Sequence, residues 1–339
     1  MLPLISCIMS NYNTNINMLR KALDSVLNQT YDNFEIIIID DCSTDEESRK
    51  VIKEYEAKDE RIKPYYKKKN EGLAAALNYG IRKASGKYIV RFDTDDICFS
   101  RRFEIQIDYM EKHPNINISS SFVEIFDGKK GIVATAFNDE ESVKAQLLFS
   151  CYIPHSAVIM QKNFLIQNEL FYDPQFEKAE DFDLWTRCIE KGAKISIIPK
   201  VLIKYRIHSS SVCHVQKTEQ VRLTNIIVER QLDHLKIKPS KEEMKMHKIL
   251  CGIENFEEQD FNKLDFWCHR LVKQNNEIKY YDVNKFKKVV INRQSIAILK
   301  SRVTYKKKIF CMVKKYKMCN IYNIYALLYK KIHLLKYKR

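Results

Sequence analysis

The stretch FEIIIIDDCSTDEES at residues 34–48 decides the fold. Four consecutive isoleucines, Ile36 to Ile39, run straight into Asp40 and Asp41. A continuous β-branched run of this kind, beginning at Glu35, reads as a strand buried on both faces, the mark of a parallel sheet covered by helices. Ser43-Thr44-Asp45-Glu46 then supplies the side-chain acceptors that a helix N-terminus needs, and predicts a helix through Tyr55.

The same alternation extends to either side. Leu4–Met9 reads as a first strand and Asn17–Leu27 as a helix. Arg61–Tyr66 predicts a third strand, Leu73–Lys83 a helix ending before Gly86, and Lys87–Phe92 a fourth strand. Strands alternating with helices imply βαβ units, right-handed crossovers and a ligand crevice at the carboxyl ends of the strands. Downstream, shorter strands are expected at Ile116–Phe122, Ile132–Thr135, Ala157–Met160, Ile195–Ile198 and Leu202–Arg206, with helices at Glu140–Phe149 and Asp181–Lys191. After Gln216 helical patterns dominate. The expected organisation is an α/β domain over 1–215, with a nucleotide-binding half at 1–100 and an acceptor-binding half at 101–215. A helical extension follows at 216–300, and a basic tail at 301–339.

Composition narrows the class. The 339 residues are 45% hydrophobic and 30% charged, enough for a large core, and 7 Gly with 7 Pro exclude collagen-like repeats and long flexible linkers. The net charge of +15 is uneven: residues 301–339 hold 12 of the 58 Lys and Arg and none of the 43 Asp and Glu, so residues 1–300 carry 46 − 43 = +3. Ten cysteines show no CxxC or zinc-like spacing. With an N-terminus (MLPLISCIMSNYN) that lacks a basic segment, this predicts reduced thiols and a cytoplasmic protein. No apolar run approaches the roughly 18 residues that a membrane span requires.

Acidic residues end two of the predicted strands: Asp40-Asp41 after the second, Asp93-Thr94-Asp95-Asp96 after the fourth. Carboxylates stacked at one sheet edge repel and raise each other's pKa. A divalent cation with hard oxygen ligands resolves the conflict, and Mg²⁺ or Mn²⁺ recruits substrate phosphates as further ligands. A turn or helix cap remains the plain alternative for Asp40-Asp41. A calcium loop from Asp93 to Glu104 fails, because Ile97 and Cys98 stand where it needs an oxygen ligand and a glycine.

Taken together, these residues resemble the family 2 glycosyltransferases, inverting enzymes of the GT-A fold that use nucleotide-diphosphate sugars. ISCIMSNYN (5–13), FEIIIIDDCSTDEES (34–48), NEGLAAALNYGI (70–81), ASGKYIVRFDTDD (84–96), AEDFDLWTRCIEKGAKI (179–195) and YRIHSSS (205–211) follow in the family's order. The resemblance implies a GT-A-like mixed sheet with a helical C-terminal extension. It implies that Asp41, with Asp40 beside it, reads the donor's base, and that Asp93 lies near the ribose and diphosphate. Asp95 matches the metal position of the DxD motif, with Asp96 a further ligand or supporting partner, for Mn²⁺ or Mg²⁺. Asp181, in the Glu180-Asp181 pair opening a helix, matches the general base. His208 is at a position able to reach the metal or diphosphate, and Arg206 stands close by. His155 and Trp185 are candidates for the acceptor side; the alternative for each is a core residue.

Two departures stand out. Cys42 occupies a place where relatives often have glycine, and Leu77 one where many carry arginine. No QxxRW segment is present, which points away from processive polymerases and towards addition of one sugar. The implied partners are a UDP-sugar donor and a glycan acceptor, the latter carried on a polyprenyl diphosphate. In the tail, basic residues alternate with apolar ones and six tyrosines, which suggests a membrane-surface segment on the cytoplasmic side. No recognition helix, RNP motif or zinc module points to nucleic acid. The rival readings are a sugar nucleotidyltransferase, which should show a glycine-rich loop that SNYNTN lacks, and a basic binding protein with an inactive transferase body.

Overall fold

The computed structural model describes residues 2–127, 131–135, 137–207 and 217–301. Strands β1 (Ile5–Asn11), β2 (Phe34–Asp40), β3 (Ile62–Tyr66) and β4 (Tyr88–Asp93) form a parallel block in the order β3-β2-β1-β4. Every residue of β2 is buried, as its unbroken apolar run predicts. Its one charged interior residue, Glu35, is satisfied by Ser6 Oγ at 2.6 Å, the Ser85 N–H at 2.7 Å and Lys63 Nζ at 2.6 Å. Helices α1 (Ile16–Leu27), α2 (Glu46–Lys58) and α3 (Leu73–Lys83) make the crossovers. Asp45 caps α2 by accepting from the Glu47 N–H at 2.9 Å. The chain reaches Cys42 with φ +61°, in the left-handed region that glycine enters most readily.

The sheet then changes direction. Beyond β4 lie β5 (Ile97–Cys98), β6 (Ile118–Phe126), β7 (Gly131–Val133), β8 (Ile159–Gln161) and β9 (Ile195–Arg206). β8 pairs antiparallel with both β4 and β6, β6 runs parallel to β9, and β5 and β7 pair antiparallel at β9 and β6. The chain is therefore a mixed α/β sheet of nine strands among the described residues.

Several expectations are corrected here. Ile195–Ile198 and Leu202–Arg206 are one strand. Ile198 pairs with Ser121 and Val201 with Phe122, so Pro199 and Lys200 bulge from the ladder and the pairing resumes. Proline has no N–H to donate, and a bulge is where a strand tolerates it. Helix α4 (Arg102–Lys112) was not foreseen. Its buried face carries Arg102 and Gln106, bonded to each other at 2.9 Å and to main-chain carbonyls, and these polar residues disguise the apolar period. Helix α5 (Glu140–Gln146) stops three residues before Phe149, and the short α6 (Lys162–Gln167) follows β8.

Helix α7 (Glu180–Glu190) precedes β9. Contacts divide the chain into two compact units between Glu229 and Arg230, within the helix Lys217–Asp233. The described residues of the C-terminal unit form helices at Lys241–Cys251, Phe261–Ile278 and Val283–Lys300. A Ser240–Glu243 capping box opens the first of these and Gly252, at φ +77°, closes it. This unit buries Trp267, Leu271, Phe286 and Val289. The tail beyond Ser301 lies outside the described residues, and so does His208. Among the described residues no helix is long and apolar enough to cross a membrane.

Candidate active site

Parallel pairing sets Asn11 of β1 beside Asp40 of β2, and Ser10 beside Asp93 of β4. Both acidic segments therefore reach the same carboxyl edge. Asp40 is buried there, with Oδ1 accepting from Asn11 Nδ2 at 2.8 Å and Oδ2 from Arg49 Nε at 2.7 Å and the Ser43 N–H at 3.2 Å. Asp41 accepts from the Gly72 N–H at 2.8 Å and the Glu71 N–H at 3.2 Å, and pairs with Lys67 Nζ at 2.7 Å. It thus sits at the start of α3, where the helix dipole favours negative charge. Gly72 permits this approach, with φ +86°.

Asp93, Asp95 and Asp96 form a second cluster, each offering an oxygen within 4.8 Å of the others. Asp96 is buried; its Oδ2 accepts from the Ser156 hydroxyl and its Oδ1 from the Arg206 N–H at 2.8 Å. Burial, and then the charges of Asp93 and Asp95, push the Asp96 carboxyl well above the usual range. Burial also raises Asp93, against the pull of the Arg91 guanidinium that pairs with it. Three hard oxygen donors under mutual repulsion fit Mg²⁺ or Mn²⁺. Both Asp96 oxygens already accept from the chain, which fixes that carboxylate beside Asp93 and Asp95. Asp96 braces them.

Arg206 belongs to that brace. Its Nε donates to the Asp95 carbonyl at 2.8 Å, its guanidinium pairs with Asp127, and it lies 4.4 Å from the centroid of the Phe126 ring. The side chain is committed to holding the Asp95–Asp96 turn against the end of β9.

Helix α7 opens with Glu180, Asp181 and Asp183 in its first turn, all favoured by the helix dipole. Asp183 is spent on Arg187 at 2.7 Å, and Arg187 also donates to the Phe171 carbonyl at 2.6 Å, which fixes the helix start. Glu180 is buried and accepts from the Lys178 N–H at 2.6 Å. Asp181 is half-buried; Oδ1 accepts from the Phe182 N–H at 2.7 Å and Oδ2 from the Cys151 thiol at 3.3 Å. Burial raises the Asp181 carboxyl, and the Cys151 and Phe182 bonds draw it back. Glu180 is raised by burial and by Asp181 beside it.

A metal-compatible carboxylate edge and a separate acidic helix start, on an α/β sheet of this order, invite comparison with known proteins. The family model for glycosyl transferase family 2 matches residues 6–173. An uncharacterised glycosyltransferase of Methanocaldococcus jannaschii is 33% identical over 209 residues, covering 60% of this chain and 71% of that one.

This chain is a family 2 glycosyltransferase.

Another glycosyltransferase relative, from Haemophilus influenzae, is 32% identical over 228 residues, covering 64% of this chain and 70% of its own. Among solved structures, S. aureus TarS 1–349 in complex with UDP-GlcNAc superposes with a TM-score of 0.58 at 16% identity, covering 86% of this chain and 91% of that one. The mannosyltransferase PcManGT from Pyrobaculum calidifontis, in complex with GDP-Man and Mn²⁺, gives 0.52 at 12% identity, covering 94% and 81%. These likenesses show the GT-A fold.

Within this glycosyltransferase one of the two acceptor-side candidates, Trp185, turns inward. Trp185 is fully buried on α7, so its ring offers no face to a sugar; it is a core residue. His155 shares a 2.8 Å bond with the Tyr172 hydroxyl and meets Trp185 edge-on at 5.9 Å between centroids. His155 is partly exposed, and burial of its ring, and then the Arg91 charge, hold it well below its usual range, so the imidazole is neutral. Tyr172 is itself clamped by Asn78, which donates to its carbonyl at 2.7 Å and accepts from its N–H at 2.8 Å.

Among the residues of the site not foreseen are Lys67 on Asp41, Arg91 on Asp93 and Cys151 on Asp181. Arg91 left a trace, as the only charged residue inside the apolar run of β4. Lys67, within the run Lys67-Lys68-Lys69, and Cys151 left none.

Proposed function

We propose that this glycosyltransferase moves one hexose or N-acetylhexosamine from a UDP-sugar to a hydroxyl of a glycan acceptor, inverting the anomeric centre to give a β-glycoside. The observation that carries the reading is the convergence of Asp93, Asp95 and Asp96 within 4.8 Å at the edge shared with Asp41. In this reading Asp40 and Asp41 shape the base-binding end, and Asp93 lies by the ribose and diphosphate. Asp95 holds Mn²⁺ or Mg²⁺ with Asp93, and Asp96 and His208 support it. Arg206 keeps the turn in place. The ion supplies positive charge against the leaving diphosphate.

Asp181 takes the acceptor's proton. A positioned general base contributes about 10²–10⁴ in rate. Glu180 beside it keeps the helix start acidic, and the dipole of α7 favours the ionised form of Asp181. Single displacement at the anomeric carbon inverts configuration. The binding of UDP-GlcNAc by TarS and of GDP-Man with Mn²⁺ by PcManGT supports a nucleotide-sugar donor and a metal. The setting that suits the basic tail is surface polysaccharide assembly, O-antigen or capsule, on a polyprenyl-diphosphate-linked acceptor at the cytoplasmic face of a membrane.

The test is a thermal-shift and UDP-release screen of nucleotide sugars with and without Mn²⁺. One UDP-sugar should raise the melting temperature only with Mn²⁺, by mass action on the folded state, and the shift should vanish in Asp95→Ala. No response to any nucleotide sugar with metal present would sink the reading.

A further inference from the structure

Asp181 is held at two points. The N–H of Phe182, the next residue, occupies Oδ1, and the thiol of Cys151 occupies Oδ2 at 3.3 Å. Cys151 lies 30 residues earlier, between α5 and the turn His155–Ala157, so only the fold brings the pair together. The Ile153 carbonyl lies farther from this sulfur, at 4.0 Å, and the thiol has a single proton to give. Burial, reinforced by the Asp181 charge, pushes the Cys151 thiol well up, so it is a donor and not a thiolate nucleophile. The other charged or titratable groups acting on Asp181 are Glu180 on α7, Arg91 on β4 and Tyr172 in the segment before the helix.

An abstracting carboxylate needs its plane held and a lone pair left over. The Phe182 N–H and the Cys151 thiol hold the Asp181 plane from its two oxygens, and two carboxylate oxygens carry more lone pairs than these donors take. A thiol is a weak donor, so it orients the carboxylate with less loss of basicity than a hydroxyl or ammonium would cause.

We propose that Cys151 is a positioning residue for proton abstraction, its thiol orienting the Asp181 carboxylate towards the acceptor hydroxyl. This rests on the reading of Asp181 as the base. In the step served, the acceptor proton passes to Asp181 and the acceptor oxygen bonds the anomeric carbon. The bond from that carbon to the diphosphate oxygen breaks, and the diphosphate leaves with the electron pair. Cys151 keeps its own proton throughout.

The experiment uses the full chain with UDP-N-acetylglucosamine and Mn²⁺, following UDP release against pH for the unaltered protein, Cys151→Ala, Cys151→Ser and Asp181→Asn. Cys151→Ala should lower kcat on the order of tenfold with the donor KM little changed, and move the acid limb up by about 1 in pH, since a lost donor no longer favours the ionised carboxylate. Cys151→Ser, which keeps a donor, should restore most of the rate. An unchanged kcat and acid limb in Cys151→Ala, beside an inactive Asp181→Asn, overturns the proposal alone. Full activity in Asp181→Asn overturns the base assignment and the proposal with it. A second arm needs no donor: iodoacetamide labelling of Cys151, mapped by peptide mass. Labelling should quicken in Asp181→Asn, where the thiol loses its acceptor and the charge that adds to burial in keeping it protonated; an unchanged rate overturns the pairing.

Discussion

Asp93, Asp95 and Asp96 set three acids within reach of one ion, and the cost of that arrangement has a measurable sign. Burial and mutual repulsion raise Asp93 and Asp96 above their unfolded values. A carboxyl raised by folding contributes stability below the unfolded value of about 3.9 and loses it as pH climbs through the folded value. Without divalent cation, these groups should therefore make the chain less stable at neutral pH than at mildly acid pH. Asp95→Asn removes one repelling charge. The metal-free melting temperature should rise at pH 7, by about 2–4 °C for each kcal/mol relieved, while the increase produced by Mn²⁺ is lost. Differential scanning calorimetry with EDTA or Mn²⁺ measures both. A metal-free Asp95→Asn that melts below the unaltered chain would contradict the repulsion account. The same scale separates residues that the sequence treats alike: Asp40 and Asp41 are adjacent, yet one is tied to Asn11 and Arg49 while the other holds Lys67 and the start of α3.

Elements carry a different lesson, because their agreement with sequence depends on who pays the local polar requirements. The parallel block was legible: β2 is an uninterrupted apolar run, α2 has its cap in Asp45, and α3 spans Leu73–Lys83 as its pattern indicates. Where the pattern was mixed, tertiary partners decided. Pro199 hid the continuity of β9, which the β6 ladder restores across the bulge. Arg102 and Gln106 hid α4, and carbonyls of β4 and of the segment before β8 satisfy them. Packing between elements supplies a prediction too. Gly80 of α3 rides directly on β1, where an added Cβ would come within 2.5 Å of Ile8 Cγ2. Gly80→Ala should therefore destabilise by about 1–3 kcal/mol despite alanine's better helix propensity. Urea unfolding followed by circular dichroism reads the sign, and a stabilised variant would show that α3 has room to move.

At the scale of the whole chain, charge is the informative quantity. Residues 1–300 carry +3 of the net +15, and the rest lies in residues 301–339. If that segment engages an anionic surface, each Lys or Arg near it contributes about 1 kcal/mol, screened by salt. The full chain should then sediment with vesicles containing phosphatidylglycerol but not with phosphatidylcholine vesicles, and release in high salt. A chain ending at residue 300 should stay in the supernatant with both. Equal sedimentation of the two chains would remove the tail from any membrane role.

The amino-acid sequence by itself determined the order of the parallel strands' helices and turns, and it put carboxylates after β2 and β4 and at the start of α7. Periodicity and capping are local, so they survive in one dimension. Only the tertiary structure decided that Asp96 is a brace, because that depends on donors such as Ser156 and the Arg206 N–H, 60 and 110 residues from Asp96. It also turned Trp185 into core, since burial is a property of the neighbours and not of the residue. The thiol of Cys151 meets Asp181 for the same reason: the two lie 30 residues apart, and only tertiary packing joins them.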